Sequence, residues 1–395
     1  GPNSMDPPLS HIPAPLTESL QVFRGIAPVS SGIETIGGSI TAKSRKGDFY
    51  GNGFKLTDGV ETNGLVTGGY SSVDDGWYMA GLATVATQNH KLYASGVHQE
   101  GRDYFYKGDK KVRPTQYDRD LWNVGYGYQR DGHEFGINYS NNDTGHTGTP
   151  ALPMDIMYVR GGLSNMDYNW ELDNGHELKA NIYYQNMRHE MNNFTLREAP
   201  TMVMMPMPGM DGMPMMARKM FRQMNTDVRA GGLDLGYTIP LFNGDFTFGF
   251  NGDQADHDAK VTDPTNAAFF IQAFNNAERD RYSFYGEWEG EIAKDFGLEL
   301  GARFINANTN SGTVNYNGLP AAATGAANKL RDDFNNSDRN QSDNDVDLVS
   351  ILRYTMNSTM DWEIGFARKN RSPSYQERYI WLPLETTGGL ADGRN

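Results

Sequence analysis

The sequence predicts an all-β protein, an antiparallel transmembrane β-barrel wall, and three observations lead there. The first is composition: of 395 residues only 38% are hydrophobic, yet 12% are aromatic and 45 are glycine. The mean hydropathy is −0.63, too low for helices packed around a central sheet, while a disordered chain would be poor in aromatics. The second is period-two alternation in segments of about ten residues, long enough to cross a bilayer at a tilt. The third is the rhythm of the connections, which alternate between short and long, as they do around an outer-membrane barrel.

Residues 1–45 stand apart from this pattern. They are rich in Pro and Gly, and two short β-like runs, Ser19 to Phe23 and Ser39 to Lys43, frame a turn containing Ser30, Ser31 and Gly32. From about residue 60 the alternating segments begin. They cover 62–71, 77–87, 91–100, 119–129, 133–141, 163–172 and 177–187, then 229–238, 245–252, 281–292, 297–306, 346–355 and 361–369, thirteen in all. In 177–187, Leu178, Ala180, Ile182 and Tyr184 share one face, and Lys179, Asn181, Tyr183 and Gln185 share the other. The first face suits lipid and the second a watery lumen. Tyr70, Trp77, Trp122, Tyr139, Trp170, Trp288 and Trp362 lie near strand ends, where interfacial girdles would put them.

Short turns such as Arg130-Asp131-Gly132, Asp173-Asn174-Gly175 and Asn243-Gly244 alternate with long polar segments at 102–118, 142–162, 188–228, 253–280 and 307–345. The long set is expected on the extracellular side.

Charge and missing residue types exclude several functions. A formal charge of −14 with no Lys/Arg cluster argues against nucleic acid. Zero cysteines remove disulfides, thiolate metal sites and cysteine nucleophiles. No run of eighteen apolar residues predicts a membrane helix. No nucleophile elbow or metalloprotease helix is found, so the chain is not expected to be an enzyme. Asp253, Asp256, Asp258 and Asp263 lack the spacing of a calcium loop. His11, His90, His98, His133, His146, His176 and His257 are scattered and read as turn or surface residues.

One stretch carries a chemistry of its own. Met187 and Met191 are followed by Met202, Met204, Met205, Met207, Met210, Met213, Met215, Met216, Met220 and Met224. These are twelve of the nineteen methionines, and His189 sits among them. Soft thioethers with a borderline imidazole suit copper, above all Cu(I), better than zinc or calcium. Pro206, Pro208 and Pro214 keep residues 202–216 from forming a helix or central strand. The segment reads either as a chain of weak ligands passing copper inward or as a biased surface loop.

Ser19-Leu20-Gln21-Val22-Phe23-Arg24-Gly25, followed by Ile36-Gly37-Gly38-Ser39-Ile40-Thr41-Ala42-Lys43, resembles the end of the plug domain in TonB-dependent outer-membrane receptors. Arg371-Ser372-Pro373-Ser374-Tyr375-Gln376-Glu377-Arg378-Tyr379 is similar to a barrel segment of that family's middle strands. The copper receptors of the family are more alike still. Pro2-Asn3-Ser4-Met5-Asp6-Pro7-Pro8 resembles their plug motif Cys-x-x-x-Met with Asp-Pro-Pro, and His189-x-Met191 their loop motif. Thr149-Pro150-Ala151-Leu152-Pro153-Met154-Asp155 and Trp381-Leu382-Pro383-Leu384 with Gly388-Gly389-Leu390 also look like that group.

The resemblance implies a receptor of the Gram-negative outer membrane that imports copper with energy from TonB. Residues 1–45 would be the last part of a plug and 46–395 the first part of the barrel. Met5, His189 and Met191 would hold the metal. Met187, Met202, Met204, Met205, Met207, Met210, Met213, Met215 and Met216 would be accessory ligands. Ile26 stands where the family usually has Pro, and Gly1 where it has cysteine, leaving a neutral set without thiolate.

About 13 of the family's roughly 22 strands are covered. An open wall would leave two edges of unpaired backbone, costing on the order of tens of kcal/mol in hydrocarbon. The chain is therefore expected to be part of a longer protein that closes the barrel and carries the TonB-binding segment. Two other readings stay open: a receptor for iron chelates such as siderophores, and a surface copper-binding protein that transports nothing.

Overall fold

The computed structural model describes residues 12–51, 53–108, 110–172, 174–204 and 216–383. A 3-10 turn at Ala14–Leu16 leads into β1 (Thr17–Gly25), which pairs antiparallel with β2 (Gly37–Ser44) as a separate two-stranded sheet. The two runs read from the sequence are the centres of these strands. Gly38 is required there, since a Cβ would overlap the Phe23 carbonyl oxygen and its φ is +125°. A second 3-10 turn, Val29–Ser31, lies between them.

The wall follows in chain order. β3 (Phe54–Thr57), β4 (Val60–Ser71), β5 (Gly76–Ala86) and β6 (His90–Gly101) come first. A small hairpin, β7 (Tyr104–Tyr106) and β8 (Lys110–Val112), decorates the next connection. Then come β9 (Tyr117–Arg130), β10 (His133–Thr144), β11 (Asp155–Glu171) and β12 (Glu177–Asn192). A second hairpin, β13 (Thr201–Met204) with β14 (Met216–Lys219), precedes β15 (Gln223–Pro240), β16 (Gly244–Asp263), β17 (Asn266–Ala293) and β18 (Phe296–Asn310). The two-residue β19 (Tyr316–Asn317) and helix α1 (Ala321–Asn336) fill the connection to β20 (Gln341–Asn357) and β21 (Met360–Arg368). Helix α2 (Tyr375–Tyr379) lies beyond.

Each wall strand pairs antiparallel with its neighbour in sequence, from β3 at one edge to β21 at the other. The thirteen expected strands are all present, with β3 and β19 added. Many run further than the alternation indicated. Residues 253–280, expected as a loop, are mostly the continued ladder of β16 and β17, paired up to Asp263 opposite Asn266. Residues 307–345 contain α1 rather than an open loop. Ladder hydrogen bonds need no apolar face, so pairing outlasts the pattern that reveals it.

The two faces of the wall differ. Ile182 and Tyr184 on β12, Phe248 on β16, Phe284 on β17, Leu300 and Phe304 on β18 and Leu348 on β20 are exposed on the convex face. A continuous exposed apolar band of this kind is the lipid face of a membrane barrel. Further along the same strands the outward positions turn polar, with Arg188 and Glu190 on β12 and Asp256 and Asp258 on β16.

The amino-terminal segment covers the concave face. Leu16 packs with Ala80 and Val97, and Val29 with Val349 and Ile351. Arg303 donates to the Val29 carbonyl at 2.9 and 2.6 Å, and Ser30 donates to the Glu287 carboxylate at 3.0 and 2.6 Å. Lys46 reaches Asp167 at 2.5 Å.

After β21 the chain folds back over this face. The Arg371–Tyr379 motif is thus not part of a barrel strand: Pro373 lacks the donor a ladder needs, and Ser374 with Glu377 forms a capping box on α2. Tyr379, Ile380 and Trp381 bury themselves there, and Trp381 Nε1 donates to the Gln272 carbonyl at 2.8 Å.

Candidate functional site

β12 passes through the lipid band and continues beyond it to Asn192. Along this extension Arg188 and Glu190 point outward, while Met187, His189 and Met191 point inward. His189 and Met191 therefore lie on the wall, as does Met224 on β15, although the sequence pattern predicts a loop over 188–228. Alternation from hydrophobic to polar ends where the outward side leaves lipid, so the sequence pattern stops early there.

The ladder register fixes their neighbours. His189 faces Val159 on β11 and Thr226 on β15. Met191 faces Ile156 and Met224, and Met187 faces Gly161 and Val228. His189 is 2% exposed, Met191 4% and Met224 7%. Met191 and Met224 belong to a core cluster with Met154, Val261, Ile271 and Trp381. Met187 belongs to a smaller one with Val159 and Val228. His189 thus stands between two apolar clusters that carry thioethers on either side of it.

The carboxylates around these residues have partners of their own. Asp155 is the buried carboxylate nearest in register, opposite Asn192, and it is already neutralised. Arg197 donates to it at 2.7 and 2.5 Å and also to the Leu152 and Thr149 carbonyls at 2.6 and 2.9 Å. Asp227 and Asp258 line a pocket with His189 and accept from Arg188 and from the Asn276 N–H, so the inward sulfur and imidazole stand beside carboxylates that already have partners.

Not every expected ligand falls within view. Met5, Met205, Met207, Met210, Met213 and Met215 lie outside the described residues, as does Gly1. Met204 and Met216 are cross-strand partners in the β13–β14 hairpin, and Met202, on β13, is exposed.

Among the histidines, His90, His133 and His176 sit near the short turns, each ring bonded to a tyrosine hydroxyl at 2.7–2.8 Å. His257 is the exception to the surface expectation. It faces inward on β16 at 7% exposure, stacked on Tyr375 at 3.8 Å between ring centroids. Burial pushes its pKa down to about 4 against a bond to the Ala277 carbonyl. Its acidic outward neighbours Asp256 and Asp258 disguised it. On the outward face, His98, Asp118 and Asp120 offer ligand atoms within 4.8 Å of one another, but they are far in register from the methionines.

Below Met187, a cavity of about 760 Å³ lies between the amino-terminal segment and the wall. Its lining includes Asn123, Asn142, Asn165, Gln185 and Met187, and it reaches Lys46 and Asp167.

No protein-family profile matches the chain, and no curated protein does either. Solved structures do. The chain is similar to the copper transporter OprC, with a TM-score of 0.74 and 18% identity over 96% of this chain and 56% of that one. It is similar to the FrpB iron transporter from Neisseria meningitidis (F3-3 variant), with a TM-score of 0.60 and 13% identity over 91% and 53%. It also resembles the ferric citrate transporter FecA in the unliganded form, at 0.57 and 12% over 88% and 49%. The fold is that of the TonB-dependent outer-membrane receptors. At these identities the likeness is one of fold, and the chain spans about half the length of the structures it matches.

Proposed function

We propose that the chain is part of a TonB-dependent receptor in the Gram-negative outer membrane that binds copper and imports it. Residues 1–45 would act as the plug portion and 46–395 as barrel. The observation that carries this reading is the inward, buried pair His189 and Met191, set beyond the lipid band, where Asp155 is tied to Arg197 and Asp227 and Asp258 accept from Arg188 and the Asn276 N–H. Neutral ligands around a monovalent ion leave a single charge to be desolvated, the least costly arrangement for a buried cation. Met5 would complete the set, with the methionines from 202 to 216 gathering copper at the surface.

Release would lead downward. Met187 is the next inward residue on β12 and lines the upper part of the asparagine-rich cavity, whose uncharged amide groups offer weak, exchangeable contacts to a passing ion. TonB would supply the energy through a segment outside this chain.

An iron-chelate receptor is the second reading, favoured by the likeness to FrpB and FecA. Growth on limiting copper, compared with uptake of ferric chelates by cells carrying the complete protein, separates the two. Copper-dependent growth that disappears without TonB supports the proposal; ferric-chelate uptake without a copper effect overturns it. Copper bound at the surface with no uptake would indicate a scavenger instead.

A further inference from the structure

We propose that Met224 is a ligand of the same ion, so that the wall itself supplies two sulfurs and one nitrogen. This rests on the copper reading and adds to it a residue from a second strand.

The register brings the three donors together. Met191 and Met224 are direct cross-strand partners on the inward face, which places their Cβ atoms about 4.5–5.5 Å apart. His189 is two residues from Met191 on the same strand and face, at roughly 7 Å along the backbone, and lies diagonal to Met224. Both thioether arms have three rotatable bonds, and the three side chains start from neighbouring inward positions of the concave wall. A metal at ordinary bond lengths of about 2–2.5 Å is within reach of all three.

The composition of the row supports a ligand role over mere packing. The row that contains Met191 and Met224 continues as Ile156 on one side and Val261 and Ile271 on the other. β-Branched residues, which favour strands and hold one rotamer, fill those positions. The two flexible thioethers occur only at the adjacent positions next to His189.

The test is Cu(I) titration of the complete protein against a chromophoric chelator, with X-ray absorption to count sulfur neighbours. Met224→Leu removes the sulfur and keeps the volume. Met154→Leu does the same at a buried methionine of the same cluster that is off the Met191 row. The proposal expects Met224→Leu to weaken Cu(I) binding at least tenfold and to lower the sulfur count by one, with Met154→Leu unchanged. Unaltered affinity and count in Met224→Leu, or an equal loss in both variants, overturns it while leaving the copper reading standing. A complete wild-type protein that takes up no Cu(I) overturns both. Should Met224→Leu fail to refold, the Met224 methyl resonance of the unsubstituted chain decides: it shifts on adding Ag(I) if the sulfur binds, and an unmoved resonance refutes the assignment.

Discussion

Glu34 accepts a hydrogen bond from Arg281 at 2.8 Å, joining residues 247 positions apart in the chain. Arg279 donates to the other oxygen of the same carboxylate, and Arg281 also holds Asp253 at 2.9 Å. One side chain of the amino-terminal segment is thereby locked to β17 of the wall. Removing the charge from a mostly buried cluster leaves its partners uncompensated, at a cost of about 3–5 kcal/mol. Glu34→Gln should therefore loosen the segment: amide exchange in β1 and β2 should accelerate while the ladder of β16 and β17 stays protected. Equal protection in both would show that the lock is energetically idle.

Arg197 holds the turn above the candidate site, on the side away from Met187. Asp155 is fully buried, so Arg197→Met strands a carboxylate and should destabilise the chain by about 3–5 kcal/mol. The double variant Arg197→Met with Asp155→Asn should recover much of the loss. Thermal unfolding followed by tryptophan fluorescence reads both, and no recovery in the double variant would contradict the pairing.

The outward band predicts its own test. Phe284 on β17 faces Phe250 and Phe304 across the ladder on the convex side. Phe284→Arg should cost about 2–4 kcal/mol in a bilayer, as charges do near the midplane of a barrel's lipid face. Asp256→Arg, beyond the band on β16, should cost little. Equal effects would place the band in water.

His257 makes stability depend on pH. Its ring is held neutral in the fold, with a pKa of about 4 against an ordinary 6.5. The unfolded chain takes up the proton more readily, so this contribution is fully present above pH 6.5 and is lost as pH falls towards 4. The total is about 3 kcal/mol. His257→Phe should flatten the decline between pH 6.5 and 4, read from unfolding midpoints across that range. An unchanged slope would contradict the buried neutral ring.

Much of this architecture was readable in the residues. Ile182 and Tyr184 against Tyr183 and Gln185 revealed the crossing part of β12, and the alternating connection lengths revealed which ends carry the long excursions. What escaped notice lay beyond the band. Arg188 and Glu190 face water there, so the hydrophobic half of the pattern vanished and His189 and Met191 looked like loop residues. Met224 was hidden in the same way, since β15 was expected to start at 229. The His-x-Met spacing itself was legible, because two residues apart on a strand means one face. α1 had a signal that went unused: Pro320 followed by Ala321, Ala322 and Ala323 is a helix start. The inward fold of Tyr379 and Trp381 onto the methionine cluster had none, since it depends on partners 40 to 109 residues away, Arg339 for Tyr379 and Gln272 for Trp381.

The central claim is that His189 and Met191 hold a soft cation. Its most direct test is the Cu(I) stoichiometry and affinity of the refolded complete protein beside the double variant His189→Ala, Met191→Ala. The account predicts about one tightly held copper in the first and none in the second, with both equally folded. Copper retained at the same affinity in the double variant would contradict it.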